Sequence, residues 1–509
     1  MERIDGRAAN ASWNEESEGK NMTNKSKSVQ MSGASPSPLS RRTFLGRMGV
    51  STAVAATAVG MPSLLGNKVM ASQGAQSPEV EAIIPEAKTT RGVLAIQGTR
   101  RMRVSPGWPS VAVIVCGLLV PALSHADAVT YWNEVATRDG RGGATPGVLN
   151  AVGPPAAIRF LAMMHLGMHD AVNSVDHAYD TYFDTYRDAP GGSKEAAAAR
   201  VGYRILAFAV PAQQEMLANL YQAYIVVLQQ NPDGDIALGA ATGDAVADEM
   251  IAARTDDGSA PITYTPPPPG RGVWQPNGPA VLPQWGNVKH FFPAVGDHGH
   301  VDVPLPPRLC SWLYRTDLAE VRSLGQDTST SRTADQTDAA LFWAPNDHIW
   351  ISEEARIWAS STDISLNAQR FALLMGTMED SAIDGFYWKY QYVFWRPFQA
   401  LNQPGGTPWA PLRPTPNHPE YPSAHAFIMA PSVGLMEQWI GDSTPVTFYS
   451  GGGVVSQQRS FDSLNDALQE LKQSRIWIGF HYRNSTDAAE DLGRTWADLV
   501  LENNYLAQH

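Results

Sequence analysis

From about residue 154 onward, apolar positions recur at helical spacing, and period-2 alternation is sparse. The pattern predicts helices over 154–176, 194–209, 211–230 and 236–254. Further helices are expected at 333–344, 353–360, 366–395, 424–439, 461–480 and 486–503. Pro211 separates the second from the third, because proline lacks the N–H that a helix interior needs. Gly239 and Gly243 put small residues on one helix and predict close packing. Residues 261–310 break the pattern. Prolines at 266–269, 276, 279, 283, 293, 304, 306 and 307 exclude a long helix there. Trp274, Trp285, Phe291 and Phe292 are interspersed, so this stretch is expected to wrap the surface as a packed connection. The fold class read from these elements is all-α, a helical bundle.

The first 126 residues read differently. Residues 1–100 show no sustained apolar period and are read as disordered or targeting sequence. Ser40-Arg41-Arg42-Thr43-Phe44-Leu45 resembles a twin-arginine export signal extending over 40–71. A second, secretory-like signal runs over 102–126, with Arg100, Arg101 and Arg103 as its basic start and Val111–Leu123 as its apolar core. Two signals in tandem point to translation from Met102, or to an upstream fusion. The product is expected to be exported, periplasmic or secreted. That leaves 127–509 as the folded region, with a ligand-binding bundle over 333–505.

The net charge is −12. An acidic chain with no basic stripe excludes nucleic acid as a partner. Cys116 and Cys310 are the cysteines. Cys116 lies in the second signal, so an intramolecular disulfide and a Cys-rich metal site are excluded. No apolar run is long enough to span a membrane. Oligomeric state is not readable.

Against this acidic background, three C-terminal segments gather cations and imidazoles. Lys389-(six residues)-Arg396-Pro397 places two cations about two helical turns apart, with Pro397 expected to end the helix just after Arg396. Pro422-Ser423-Ala424-His425 reads as a helix N-terminus, with Ser423 at the cap and free N–H groups that favour an anion. Ser474-Arg475-(five residues)-His481 adds a third cation and a second imidazole, and Gly479 between them favours a close backbone approach. Such a set suits a tetrahedral oxyanion.

The order and spacing of these segments resemble the vanadium-dependent haloperoxidases, in their bacterial and algal branch, and the related type 2 phosphatidic acid phosphatases. The pattern there is Lys-x6-Arg-Pro, then Pro-Ser-Gly-His, then Ser-Arg-x5-His-x3-Asp. The resemblance implies vanadate as cofactor, held by Lys389, Arg396, Ser423, the Ala424 N–H and Arg475. It implies His481 as the metal ligand, His425 as the acid–base group and Lys389 as the residue polarising bound peroxide. The implied reaction oxidises halide with hydrogen peroxide to hypohalous acid, which passes to a small organic acceptor. His418, seven residues before His425, matches the bromide-using members, so bromide is expected over chloride.

The alternatives are a phosphatase acting through a phosphohistidine on His481, and a non-catalytic oxyanion binder. Two positions depart from the pattern. Ala424 replaces Gly, and Ser485 stands where an Asp would orient His481, with Asp487 as the nearby substitute.

Two further groups carry metal-ligand residue types at short spacing. His165 and His169 are one helical turn apart, but they sit in a Met- and Ala-rich stripe and read as packing residues. Asp297, His298, His300 and Asp302 cluster in a Gly-rich loop and read as adventitious at most.

Overall fold

The computed structural model describes residues 83–90, 93–101, 127–137, 147–185, 187–293, 299–345, 347–359, 362–449 and 458–508; for 83–101, Asp347 and His348 it describes the backbone alone. Both export-signal segments lie outside these residues. Ile83–Thr90 (β1) and Val93–Arg101 (β2) pair antiparallel, where the sequence reading expected no regular structure.

The helices are α1 Ala128–Thr137, α2 Pro154–Asp176, α3 Lys194–Ala209, α4 Gln214–Leu228, α5 Ile236–Arg254, α6 Trp312–Leu324, α7 Ala334–Phe342, α8 Asp347–Ala359, α9 Ile364–Tyr392, α10 Pro397–Leu401, α11 Ala424–Ile440, α12 Leu464–Trp477 and α13 Arg483–Glu502. A short hairpin, β3 Val446–Tyr449 and β4 Gln458–Phe461, joins α11 to α12. No described helix is long and apolar enough to cross a membrane. The fold is all-α, as expected.

The 29-residue α9 is the central element. It packs along α2 on one side and α11 on the other, and α11 lies against α13. Two glycines bring helices together. A Cβ on Gly385 would lie 2.2 Å from the Phe427 ring, so α9 and α11 touch only because Gly385 has no side chain. A Cβ on Gly243 would lie 2.5 Å from the Ala197 carbonyl, as its small size predicts.

Among the described residues of the Pro-rich connection between Arg254 and Trp312 there is no α-helix, and Trp274, Trp285, Phe291 and Phe292 are buried. Acidic side chains on α9 hold it down. Asp380 accepts from the N–H groups of Phe291 and Phe292 at 2.7 and 2.8 Å.

Candidate oxyanion site

Helix α9 ends earlier than its sequence suggests. Its last residue is Tyr392, and Val393 follows in the left-handed region at φ 46°, ψ 40°. A β-branched residue rarely adopts this conformation. The turn carries the chain out of the helix, so Arg396 is not in the last turn of α9 but caps α10. Lys389 and Arg396 therefore meet through a bend, not through a shared helix face.

His481 is placed by a second bend. α12 ends at Trp477, Gly479 takes φ 87°, and the N–H groups of Phe480 and His481 both return to the Arg475 carbonyl. A Cβ on Gly479 would fall 2.6 Å from the Gly325 carbonyl. Positive φ and close approach both require glycine here.

Ser423 occupies the N-cap position of α11 at φ −71°, ψ 122°, and its side chain makes no capping bond. Elsewhere the fold caps in the usual way: Ser193, Asp235, Ser311, Thr333, Asp363 and Ser463 each accept from an N–H of their own helix. The Ser423 hydroxyl is fully buried with no partner among the described residues. Its N–H donates to the Ser485 carbonyl at 3.1 Å. Ala424 is the first residue of α11 and is not among the positive-φ residues, so its methyl costs no backbone strain.

Around this helix end stand three cations with no measurable exposure, Lys389, Arg396 and Arg475. The Lys389 ammonium donates to the carbonyls of Pro419 (3.2 Å), Glu420 (2.9 Å) and Pro422. It thus holds the turn leading into the cap. Arg396 donates through Nε to the His418 carbonyl and through Nη1 to the Phe480 carbonyl, both at 3.0 Å. Its Nη1 also lies 3.0 Å from His481 Nε2, and Nη2 lies 3.1 Å from His418 Nδ1. Arg475 donates to the carbonyl of Trp343 and to Ser474 Oγ.

The guanidinium fixes the protonation of His481. Arg396 can only donate, so Nε2 accepts and the ring proton sits on Nδ1. Nδ1 lies 2.8 Å from Glu420 Oε1, which receives that proton's hydrogen bond. The same carboxylate oxygen accepts from the Tyr482 N–H at 3.1 Å. The carboxylate at this histidine is therefore Glu420, not Asp487. Asp487 lies about half exposed and pairs with Lys472 at 2.7 Å. Glu420 was present in the sequence, three residues before Ser423. The signal in the sequence was an acid placed just before an anion-binding helix end, where a carboxylate needs a partner.

The electrostatics follow from burial among like charges. Burial, then Arg396, pushes the Lys389 ammonium well below its usual range, with Glu420 opposing. Burial pushes Arg396 down to about 10. Burial and the neighbouring cations hold His418, His425 and His481 well below the ordinary imidazole range. Burial raises Glu420 to about 7 against the pull of Arg396 and Lys389. His425 and Ala424 are half-buried, so the site opens to solvent on this side. His425 Nε2 lies 3.1 Å from the Pro345 carbonyl.

All seven side chains read from the sequence (Lys389, Arg396, Ser423, His425, Arg475, His481 and His418) thus converge at one end of α9 and α11. The described members of the two other histidine groups do not join them. His165 packs against Phe371, with its Nε2 2.9 Å from Asn133 Nδ2, and His169 bonds the Asp180 carbonyl. Asp297 and His298 lie outside the described residues, and Asp302 is exposed.

The fold and the site define a class: this is the fold of the helical vanadium haloperoxidases. Residues 369–507 match the family model for the VCPO second helical-bundle domain. The chain is 24% identical to the vanadium chloroperoxidase of Curvularia inaequalis, an alignment that covers 73% of this chain and 81% of that one. A bacterial vanadium-dependent iodoperoxidase structure superposes with TM-score 0.62 at 20% identity, covering 76% of this chain and 98% of that one. A holo-type bacterial vanadium-dependent chloroperoxidase does so with TM-score 0.59 at 16% identity, covering 73% and 96%. The resemblance read from the three segments is borne out.

Proposed function

We propose that this protein is a vanadium-dependent haloperoxidase that oxidises halide with hydrogen peroxide, bromide being preferred. The observation that carries the reading is the combination of an unprotonated His481 Nε2 with an unpartnered, buried Ser423 hydroxyl in a cage of three buried cations. A buried hydroxyl without a partner costs about 1–3 kcal/mol, and buried like charges need compensation. An oxyanion at the α11 N-terminus satisfies both.

The residues fit vanadate. His481 Nε2 would offer the ligand lone pair once Arg396 Nη1, which it accepts from at 3.0 Å, releases it, and Glu420 holds the ring in the tautomer that leaves Nε2 unprotonated. Ser423 and the Ala424 N–H offer hydrogen bonds to oxygens at the positive end of the helix dipole. Arg396 and Arg475 neutralise charge at close range. Lys389 contributes its charge while its three protons hold the 419–422 turn, so direct contact with the anion requires it to release one carbonyl. Bound vanadate supplies a Lewis acid that activates peroxide without changing oxidation state. His425, partly buried and neutral near pH 7, would accept the proton that incoming hydrogen peroxide gives up.

The relatives are named for chloride and iodide, so the halide preference is argued from His418. Its imidazole is almost fully buried between Arg396 and the Phe386 ring, at 5.4 Å between ring centroids. The preference for bromide rests on the resemblance of His418, seven residues before His425, to the bromide-using members. Efficient chlorination at mildly acidic pH would contradict this preference. The acid–base role is tested by His425→Ala, which is expected to keep vanadate affinity while losing halide oxidation. Equal loss of both would assign His425 to binding alone.

One observation favours a second reading. A carboxylate–imidazole pair such as Glu420–His481 also suits a nucleophilic histidine. Phosphate ester hydrolysis through a phosphohistidine therefore stays the competing activity. Export to the periplasm or medium is proposed from the signal-like segments. A mature N-terminus near Asp127 by intact mass would support the second signal, and one near Ser72 the first.

A further inference from the structure

A second cluster lies on a different face of α9. His290 Nε2 and His300 Nδ1 converge on one oxygen of Asp384, at 2.7 and 2.6 Å from Oδ1. The three ligand atoms all lie within 4.8 Å of one another. Asp384 is five residues before Lys389, about 140° away around the helix, and it takes no part in the oxyanion cage.

The surroundings hold this cluster in a ligating posture. Asp384 Oδ2 accepts from the Val301 N–H and from Trp496 Nε1, each at 2.8 Å. That fixes the carboxylate so that Oδ1 faces the two imidazoles, as supporting contacts do around bound metals. The His300 ring stacks on Tyr387 at 3.9 Å, and the His290 ring on Trp496 at 5.4 Å. Asp384 is fully buried while each imidazole keeps 12% exposure, so a water can reach the open side.

We propose that His290, His300 and Asp384 form a second metal site, which takes a divalent ion of the zinc class with water as fourth ligand. Two nitrogens and one oxygen match that preference. Ligand distances of about 2.0–2.2 Å require the donor atoms to open by roughly half an ångström from their hydrogen-bonded spacing. On binding, a neutral imidazole moves its proton to the other ring nitrogen, and an imidazolium gives its proton to solvent. The ion would clamp both ends of the 290–300 segment to α9.

The test is a Co²⁺ titration of the full chain after chelator treatment, read by visible absorption and by calorimetry. One equivalent is expected to bind with the absorption of four-coordinate cobalt. Zn²⁺ is expected to displace it. His300→Gln keeps an N–H for Asp384 and so preserves the fold, checked by circular dichroism. It is expected to weaken Co²⁺ affinity at least tenfold, as is His290→Gln. His177→Ala, which removes a surface imidazole, is expected to change nothing. Absence of stoichiometric binding, or binding indifferent to both Gln variants, would overturn the proposal and leave a hydrogen-bonded clamp.

Discussion

Glu420 Oε1 stands 2.8 Å from His481 Nδ1, and this pair sets what the imidazole presents to the cage. With its proton on Nδ1, His481 offers Nε2 as an unprotonated ligand. Glu420→Ala is expected to weaken vanadate affinity about 10- to 100-fold, the usual cost of losing a partner that orients a metal-bound histidine. Glu420→Gln keeps an acceptor and is expected to lose less. Vanadate titration by calorimetry checks both. Unchanged affinity in Glu420→Ala would remove the carboxylate from the account.

Ser423 separates anion binding from helix capping. Its hydroxyl makes no bond to α11 and is buried without a partner, so Ser423→Ala in the vanadate-free protein is expected to raise thermal stability by up to about 1–3 kcal/mol, whereas losing a true cap lowers it by about 1 kcal/mol. Vanadate affinity is expected to fall about 10- to 150-fold, the value of one hydrogen bond to a charged group. A drop in melting temperature with unchanged vanadate binding would make Ser423 a cap.

Val393 carries the strain of the bend between Lys389 and Arg396. The left-handed conformation costs roughly 1–2 kcal/mol for a residue with a Cβ, and asparagine tolerates it better. Val393→Asn is expected to raise stability by up to about 1 kcal/mol and leave vanadate affinity within twofold, by denaturant unfolding and titration. A clear loss of stability would mean that the valine's packing outweighs its backbone strain.

Acid sensitivity should trace in part to His165. Burial pushes its pKa down to about 3, below the 6.5 of an unfolded chain. The unfolded state then binds more protons between these values, so stability falls as pH falls from about 6.5 toward 3. At pH 4.5 the penalty approaches two pH units, about 2–3 kcal/mol. His165→Asn is expected to lose less stability between pH 7 and 4.5 than the parent. An identical pH slope would show that the imidazole escapes its burial on acidification.

Much of this was legible in the sequence because it is local. The helices at 154–176, 194–209 and 236–254 follow from apolar spacing and from the break at Pro211. The site residues were legible because each segment carries its own chemistry within a few positions. What was missed depends on tertiary context. The end of α9 was read at Pro397, but Val393 turns the chain first, and nothing in a valine announces a left-handed conformation. Helix α6 has low overall apolarity, with Trp312 exposed, and its pattern was too weak to read. Glu420 meets His481 across 61 residues of chain, whereas Asp487 looked suitable only by its nearness in sequence.

The proposed activity requires this cage to bind vanadate and thereby oxidise halide. The most direct measurement assays the metal-free protein with increasing vanadate, following bromide- and peroxide-dependent halogenation alongside aryl phosphate hydrolysis. Vanadate is expected to switch halogenation on with saturation and to suppress any hydrolysis. Phosphate hydrolysis without halogenation at any vanadate concentration, halide or pH would contradict the claim and assign the Glu420–His481 pair to a phosphatase.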